Sequence, residues 1–399
     1  MNIYLFNPEN DLALADGNSN YCPPPAARAI GYDLATLPLW YAPKGDVVSL
    51  TDALHQEYYA AMSGFFSLPR PCEKGDVLAF EGCSPWGWSA LAARRLRDMG
   101  VASHLLPSAE KIAALRTLSG RCTAMALCEA LRVAGVDTPS PARYYTSPDD
   151  VARFIESVPR SVIKAPWSGS GKGIAWGIGR VEVPVEHFYK GVIRRQGGVV
   201  CEYFLDKVVD FAMEFSVADG AVSFAGYSLF TCDGGAYSGN IIAPDAAIEA
   251  FLSSFVGCDA LVRVREALVC ELGRLLEPCG YQGFLGVDMM VYRDAGSYRL
   301  HPCVEMNLRM NMGAVSRIFY DNFVAPGAVG RYLVPNFRKE GEALSLHKSL
   351  LSEHPAVIKD GRLVEGYLNL SPVTEATRYM AYVLVEKDAV ELAQLYGHK

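Results

Sequence analysis

The sequence predicts an α/β protein in which a parallel α/β unit precedes a longer part of α+β character. Three observations lead there. Short apolar runs at residues 3–6, 47–50 and 77–80 alternate with polar and helical stretches, the pattern that builds a parallel sheet. Between residues 161 and 312 the chain turns to β-branched runs and turns, with helical patterns only at about 245–255 and 260–277. Half of the 399 residues are hydrophobic and 20% are charged, enough to bury a large core. At ~150 residues per domain the length predicts two or three units.

Residues 3–6 make the first strand, and Asn7-Pro8-Glu9-Asn10-Asp11 breaks it as a polar, turn-rich loop at its carboxyl end. Lys44-Gly45-Asp46 precedes the second apolar run and Lys74-Gly75-Asp76 the third. Residues 89–99 form a helix with Leu91, Ala92 and Leu96 on one side and Arg94, Arg95 and Arg97 on the other, stopped by Gly100. Residues 101–106 are the next strand candidate. Ligands of parallel sheets sit outside the carboxyl ends of the strands, which puts residues 7–11 and 82–88 on the functional rim. Pro107 marks a boundary. Helices at 109–118 and 123–134 follow it, and the prolines of Val136-Asp137-Thr138-Pro139-Ser140-Pro141 forbid helix. Beyond Pro335 polarity rises, and residues 362–386 form a hairpin of two alternating strands around Ser371-Pro372.

Composition excludes several classes of function. Lys and Arg number 37 against 44 Asp and Glu, a net charge of −7, without the basic footprint of a nucleic-acid binder. The 11 cysteines are scattered and form no CxxC pair, which speaks for reduced thiols in a cytoplasmic protein. The N-terminus has no basic start before an apolar run, and no stretch nears the ~18 apolar residues of a membrane span. The seven histidines form no H-x-x-x-H pair.

The strongest motif is Ser161-Val162-Ile163-Lys164 running into Ala165-Pro166-Trp167-Ser168-Gly169-Ser170-Gly171-Lys172-Gly173. Glycines expose backbone N–H groups and let the chain approach phosphate closely, while lysine adds a mobile charge. The P-loop pattern fails, because Pro166 stands at its first glycine and Gly173 follows Lys172; Gly-x-Gly-x-x-Gly fails as well. A plain hairpin turn is the alternative for this loop. The second motif is a strand at 284–292, a turn at 293–297 and a returning strand at 298–308 that carries Glu305 and Asn307. With the turn centred on Ala295-Gly296, Asp288 shares their face, diagonal to Glu305. Two carboxylates and an amide oxygen make a hard-oxygen set of the kind magnesium takes. Arg309 follows, suited to a phosphate or a carboxylate. A solvated strand fits less well, since Val304, Met306 and Leu308 on the other face are apolar. Between the motifs, Val199-Val200-Cys201-Glu202-Tyr203-Phe204-Leu205-Asp206 could line an adenine slot.

In order and spacing these segments resemble the ATP-grasp superfamily, over roughly residues 108–335. The resemblance implies an ATP-grasp fold preceded by a Rossmann-like α/β domain at 1–107. It divides the rest into an ATP-grasp domain at 108–335, with a glycine-rich lid part at 108–205 and a metal-binding part at 206–335, and a C-terminal extension at 336–399. It makes Lys164 the holder of the α-phosphate, and Ser168, Gly169, Ser170, Gly171, Lys172 and Gly173 the flap over the other phosphates. Glu202, Tyr203 and Leu205 become the adenine hinge. Asp288, Glu305 and Asn307 become the metal ligands, with Arg309 and Lys172 catalytic. Arg121, near the start of the helix that ends in Ala134-Gly135-Val136, is the nearest match to the family's basic phosphate residue, a few residues upstream of the usual place. Glu214 would face the ribose or the substrate.

The implied activity is an ATP- and magnesium-dependent ligase, with manganese as a substitute ion, that makes an acylphosphate from a small carboxylate for attack by an amine. Its partners would be those two small molecules, with no nucleic acid and no membrane, and dimers are common among such enzymes. A small-molecule kinase and a non-catalytic nucleotide-binding module are the competing readings. A hydrolase is not, since Gly82-Cys83-Ser84-Pro85-Trp86 lacks the final glycine of a nucleophile elbow and no base is identifiable. Candidate substrate residues are Asn10, Asp11 and Trp86 on the rim, then Tyr237, Asn240 and Asn311.

Overall fold

The computed structural model describes residues 1–50, 52–72, 79–169, 173–233, 236–387 and 390–397. Three sheets organise them. The first is parallel, in the order β3-β2-β1-β4, from β1 (Asn2–Leu5), β2 (Val47–Ser49), β3 (Arg70–Cys72) and β4 (Gly82–Pro85). The second is small and antiparallel, in the order β5-β8-β6-β7, from β5 (Arg143–Tyr145), β6 (Ser161–Lys164), β7 (Ile174–Gly177) and β8 (Val199–Tyr203). The third has nine antiparallel strands. They are β9 (Asp206–Ala218), β10 (Ala221–Asp233), β11 (Ala236–Ile242), β12 (Gly283–Asp294), β13 (Ser297–Asn307), β14 (Gly330–Leu333), β15 (Val357–Lys359), β16 (Arg362–Asn369) and β17 (Tyr382–Val385). Their order is β13-β12-β9-β10-β11-β14-β17-β16-β15.

Alternation decides the layers of this large sheet. One face sends Phe211, Met213, Phe215, Leu229, Val287 and Val291 into a core with Leu252, Leu261, Leu268 and Leu272 of the helices Asp245–Val256 and Cys258–Leu276, and with Leu127 and Leu131 of the helix Arg121–Val133. The opposite face carries Asp288, Glu305, Asn307, Glu214, Ser228 and Asn240, and the helix Met312–Phe323 packs along it. That helix joins a second core with Trp40, Phe66, Tyr332, Leu363 and Leu368, where Trp40 meets Phe319 and Phe323 edge-on.

Most of the expected elements appear, with four corrections. The expected strand at 77–80 lies partly outside the described residues; Ala79 and Phe80 are not in a strand, and β3 at Arg70–Cys72 pairs with β2 instead. Residues 101–106 hold the 3-10 turn Ser103–Leu105, because only Val101 is apolar and fully buried while Ala102, Ser103 and His104 face water. A helix at Val183–Gln196 stands in a stretch expected to be strands and turns. Pro184 opens it, Val185, Tyr189 and Val192 form its buried stripe, and left-handed Gly197 closes it. The polar run after β1 does not stay a loop, since the helix Asn10–Asp16 starts inside it. The expected C-terminal hairpin exists as the pair β16–β17, joined by residues 370–381 and built into the nine-stranded sheet.

Candidate active site

The candidate site lies where the small sheet, the polar face of the large sheet and the N-terminal unit meet. Lys164 ends β6 and is buried; its Nζ donates to Glu202 Oε2 at 2.6 Å. Val162 of β6 pairs with Glu202 of β8, so the lysine lies diagonal to it on one face. Arg121 starts its helix, also buried. Its Nη2 donates to both carboxylate oxygens of Glu305, at 3.0 and 2.9 Å, and its Nη1 donates to Ser168 Oγ at 2.7 Å and to the carbonyl of Ala165. One guanidinium thus ties the start of the glycine-rich loop to the hairpin β12–β13.

The hairpin β12–β13 turns at Ala295 and Gly296, both with positive φ (48° and 86°). A register shift next to Asp288 puts it directly opposite Glu305, where a regular ladder would leave the two diagonal. The shift keeps both on one face, as expected, and brings them closer. Asn307 Nδ2 donates to Asp288 Oδ2 at 3.0 Å. Burial, then the charge of Glu305, pushes the Asp288 carboxyl up to about 7. Two opposed carboxylates would form, with the Asn307 oxygen once it turns from Arg309, a donor set of the kind a hard divalent cation takes. Among the described residues no group of three or more His, Cys, Asp or Glu gathers as a metal site, so this set has two carboxylates and an amide.

Arg309 follows β13. Its Nε and Nη2 donate to Asp11 Oδ1 and Oδ2 at 2.8 and 2.7 Å, and Nη2 also donates to Asn307 Oδ1 at 3.1 Å. Asp11 also borders the glycine-rich loop, since a Cβ on Gly169 would lie 2.7 Å from its Oδ2. Gly173 has φ +82°, and a Cβ there would lie 2.7 Å from Ser168 Cβ; its carbonyl accepts from Ala165 N at 2.8 Å. Ser170, Gly171 and Lys172 lie outside the described residues. Glu202, Tyr203 and Leu205 border a cleft of about 1010 Å³, which Arg121, Cys128 and His301 also line.

The substrate candidates divide. Asp11 is in the site. Asn10 is not: it is buried, and with its amide nitrogen turned inward it donates to the carbonyls of Gly87 and Trp88, fastening the first helix. Trp86 is not a stacking platform either, because it is buried edge-on against Phe6, 5.0 Å between ring centroids. Tyr237, Asn240 and Asn311 belong to a buried polar stripe on the large sheet's polar side. Tyr237 Oη donates to Asn240 Oδ1, Asn240 Nδ2 to Ser228 Oγ at 2.6 Å, and Asn311 Nδ2 to Glu214 Oε2 at 2.7 Å. Burial raises Glu214 to about 8, against the opposing bond from Asn311. Glycine makes this packing possible, since a Cβ on Gly313 would lie 2.2 Å from Glu214 Oε1. Sequence reasoning missed Ser228 and Arg116. Arg116 lies over Trp167 at 4.4 Å from the ring centroid and donates to the carbonyls of Leu14 and Ala15. An arginine five residues before Arg121 in a helical pattern was the one available signal, and it reads equally as a solvated face.

Neither a protein-family model nor a curated protein matches this sequence. Solved structures do match in three dimensions. The biotin carboxylase of Campylobacter jejuni, in a β,γ-ATP complex, aligns at TM-score 0.52 and 12% identity over 97% of this chain and 88% of that one. N5-carboxyaminoimidazole ribonucleotide synthetase from Thermus thermophilus aligns at 0.51 and 16% identity over 100% and 99%. A further synthetase of that name, solved with ADP, aligns at 0.51 and 12% over 99% and 94%. The chain has the ATP-grasp fold. Among the described residues, no helix is long and apolar enough to cross a membrane.

Proposed function

We propose that this chain is an ATP- and magnesium-dependent ligase that activates a small carboxylic acid as an acylphosphate for attack by an amine. The observation that carries the reading is the meeting of two guanidinium groups with an opposed carboxylate pair. Arg121 holds Glu305 and Ser168, Arg309 holds Asn307 beside Asp288, and Lys164 pairs with Glu202 at the border of a large cleft. Adenine would take the cleft along Glu202, Tyr203 and Leu205. The phosphates would lie under residues 168–173, with Lys164 and Arg121 as counter-charges. Asp288, Glu305 and Asn307 would hold magnesium, which supplies charge neutralisation on the phosphate oxygens when bound. The acid's carboxylate oxygen would attack the γ-phosphorus and ADP leave; the amine nitrogen would then attack the acyl carbon, phosphate leaving with its bonding pair and the amine's proton passing to the departing phosphate or to water. Phosphoryl transfer requires positioning and charge neutralisation more than a protein nucleophile, and this inventory supplies those. In this reading residues 108–335 hold the nucleotide, and residues 1–107 face the other substrate.

The test incubates the protein with Mg·ATP and pools of small acids and amines. ADP with free phosphate, only when both pools are present, is the expected result. ADP without free phosphate means a kinase, and AMP overturns the mechanism. Glu305→Gln should abolish turnover and its magnesium dependence together; turnover that still rises with magnesium in this variant removes the metal assignment.

A further inference from the structure

We propose that the acid activated at this site is an α-amino acid, with its ammonium held by Asp11 and its carboxylate turned to Arg309. The inference rests on the ligase reading above and deepens it by naming the substrate class.

Counter-charges carry the argument. Among the described residues, each cation of the site is paired with a carboxylate: Lys164 with Glu202, Arg121 with Glu305, and Arg309 with Asp11. A bound Mg·ATP exchanges the first two pairs at no net loss. Phosphate oxygens replace the carboxylates on Lys164 and Arg121, the metal ion takes Glu305, and Glu202 opens on the large cleft where water reaches it. The third pair has no such exchange. Asp11 lines no part of the large cleft and comes from the first helix, which contributes nothing to the metal set. When Arg309 turns to the substrate carboxylate, Asp11 keeps a half-buried negative charge facing a second carboxylate. Breaking a buried pair by removing one partner is strongly unfavourable, and breaking a part-buried one less so. A plain acid leaves Asp11 unpaired, and a plain amine leaves Arg309 unpaired. A zwitterion with both charges on adjacent carbons splits the bidentate pair and satisfies both halves.

Space agrees with charge. Beside the pair lies a recess of about 10 Å³, bordered by Asp11, Ser168, Glu305, Asn307 and Arg309. That is room for one water-sized group. An ammonium has that size and needs acceptors, which the Asp11 carboxylate and the Ser168 hydroxyl bring. Apolar Leu14, Trp167 and Leu308 close the other sides. The neighbouring loop reaches Asp11 through Gly169, so the ammonium subsite would adjoin the phosphates.

The test titrates each of the twenty standard L-amino acids into the full chain saturated with Mg·ADP. Beside each runs the matched acid with hydrogen in place of the α-amino group. At least one amino acid should bind tenfold or more tightly than its deamino partner, and Asp11→Asn should erase that preference. Equal binding of the two acids to the unaltered chain overturns the proposal without any variant. So does a preference that survives in Asp11→Asn, or no binding of any amino acid to a chain that holds Mg·ADP. Failure of Mg·ADP itself to bind would instead overturn the ligase reading beneath it.

Discussion

Lys164 is buried yet ends 2.6 Å from Glu202, so its charge is already satisfied before any phosphate arrives. A β-strand lysine before a glycine-rich loop was legible in the sequence; its partner 38 residues on was not. Lys164→Ala should raise the Kd for Mg·ATP at least tenfold, about 1.4 kcal/mol, measured by titration calorimetry. An unchanged Kd would remove the phosphate assignment. Glu214 gives a pH prediction. Its folded value of about 8 lies above the ordinary value of 4.5, so the folded chain keeps a proton that the unfolded chain releases. Stability from this group is present at low pH and is lost as pH rises through about 8. Melting temperatures measured at about pH 5 and about pH 9 should fall between the two, and Glu214→Gln should flatten the fall. A fall of the same size in the variant would mean that other groups set it.

The glycine-rich loop and the hairpin β12–β13 show what an element needs from its turns. Gly173 sits at φ +82° with Ser168 Cβ in the place of its own missing Cβ. Left-handed backbone costs an L side chain ~1–2 kcal/mol, and the overlap adds to it. Gly173→Ala should therefore displace the loop from Ser168 and weaken Mg·ATP binding several-fold while the melting temperature changes little, since the loop is peripheral to the cores. A Kd equal to that of the unaltered chain would show that the loop tolerates the shift. The hairpin turn at Ala295-Gly296 was legible, and alternation put Asp288, Glu305 and Asn307 on one face. The register shift that makes Asp288 and Glu305 direct neighbours was not, because a bulge is decided by what packs on both sides of the strand. The missed helix Val183–Gln196 has the same origin: its apolar stripe of Val185, Tyr189 and Val192 is short and diluted by His187, Lys190 and two arginines.

At the scale of the molecule the N- and C-terminal segments are bound into one another. Thr36 Oγ1 and Trp40 Nε1 both donate to the carbonyl of Leu370 at 3.0 Å, and β17 pairs with β14 on one side and β16 on the other. Leu392 and Leu395 enter the main core. A chain ending at residue 335 loses β15, β16 and β17, leaves two buried donors without an acceptor and exposes Phe319 and Tyr332. It should fail to give a cooperative melt by circular dichroism; a cooperative melt near that of the full chain would show residues 336–399 to be dispensable.

The motifs of the candidate site are local in the sequence. A strand lysine, a glycine-rich loop and Glu305-Met306-Asn307-Leu308-Arg309 each sit within a few residues, where strand period and turn chemistry decide side-chain placement, so sequence alone determined the fold class and which residues to examine as a candidate site. Tertiary structure decided the pairings: Arg121 with Glu305 across 184 residues, Arg309 with Asp11 across 298, and Trp86 and Asn10 drawn from an expected rim into the interior. Those outcomes depend on which faces of distant elements come to be buried together, and no local pattern of charge or hydropathy encodes that.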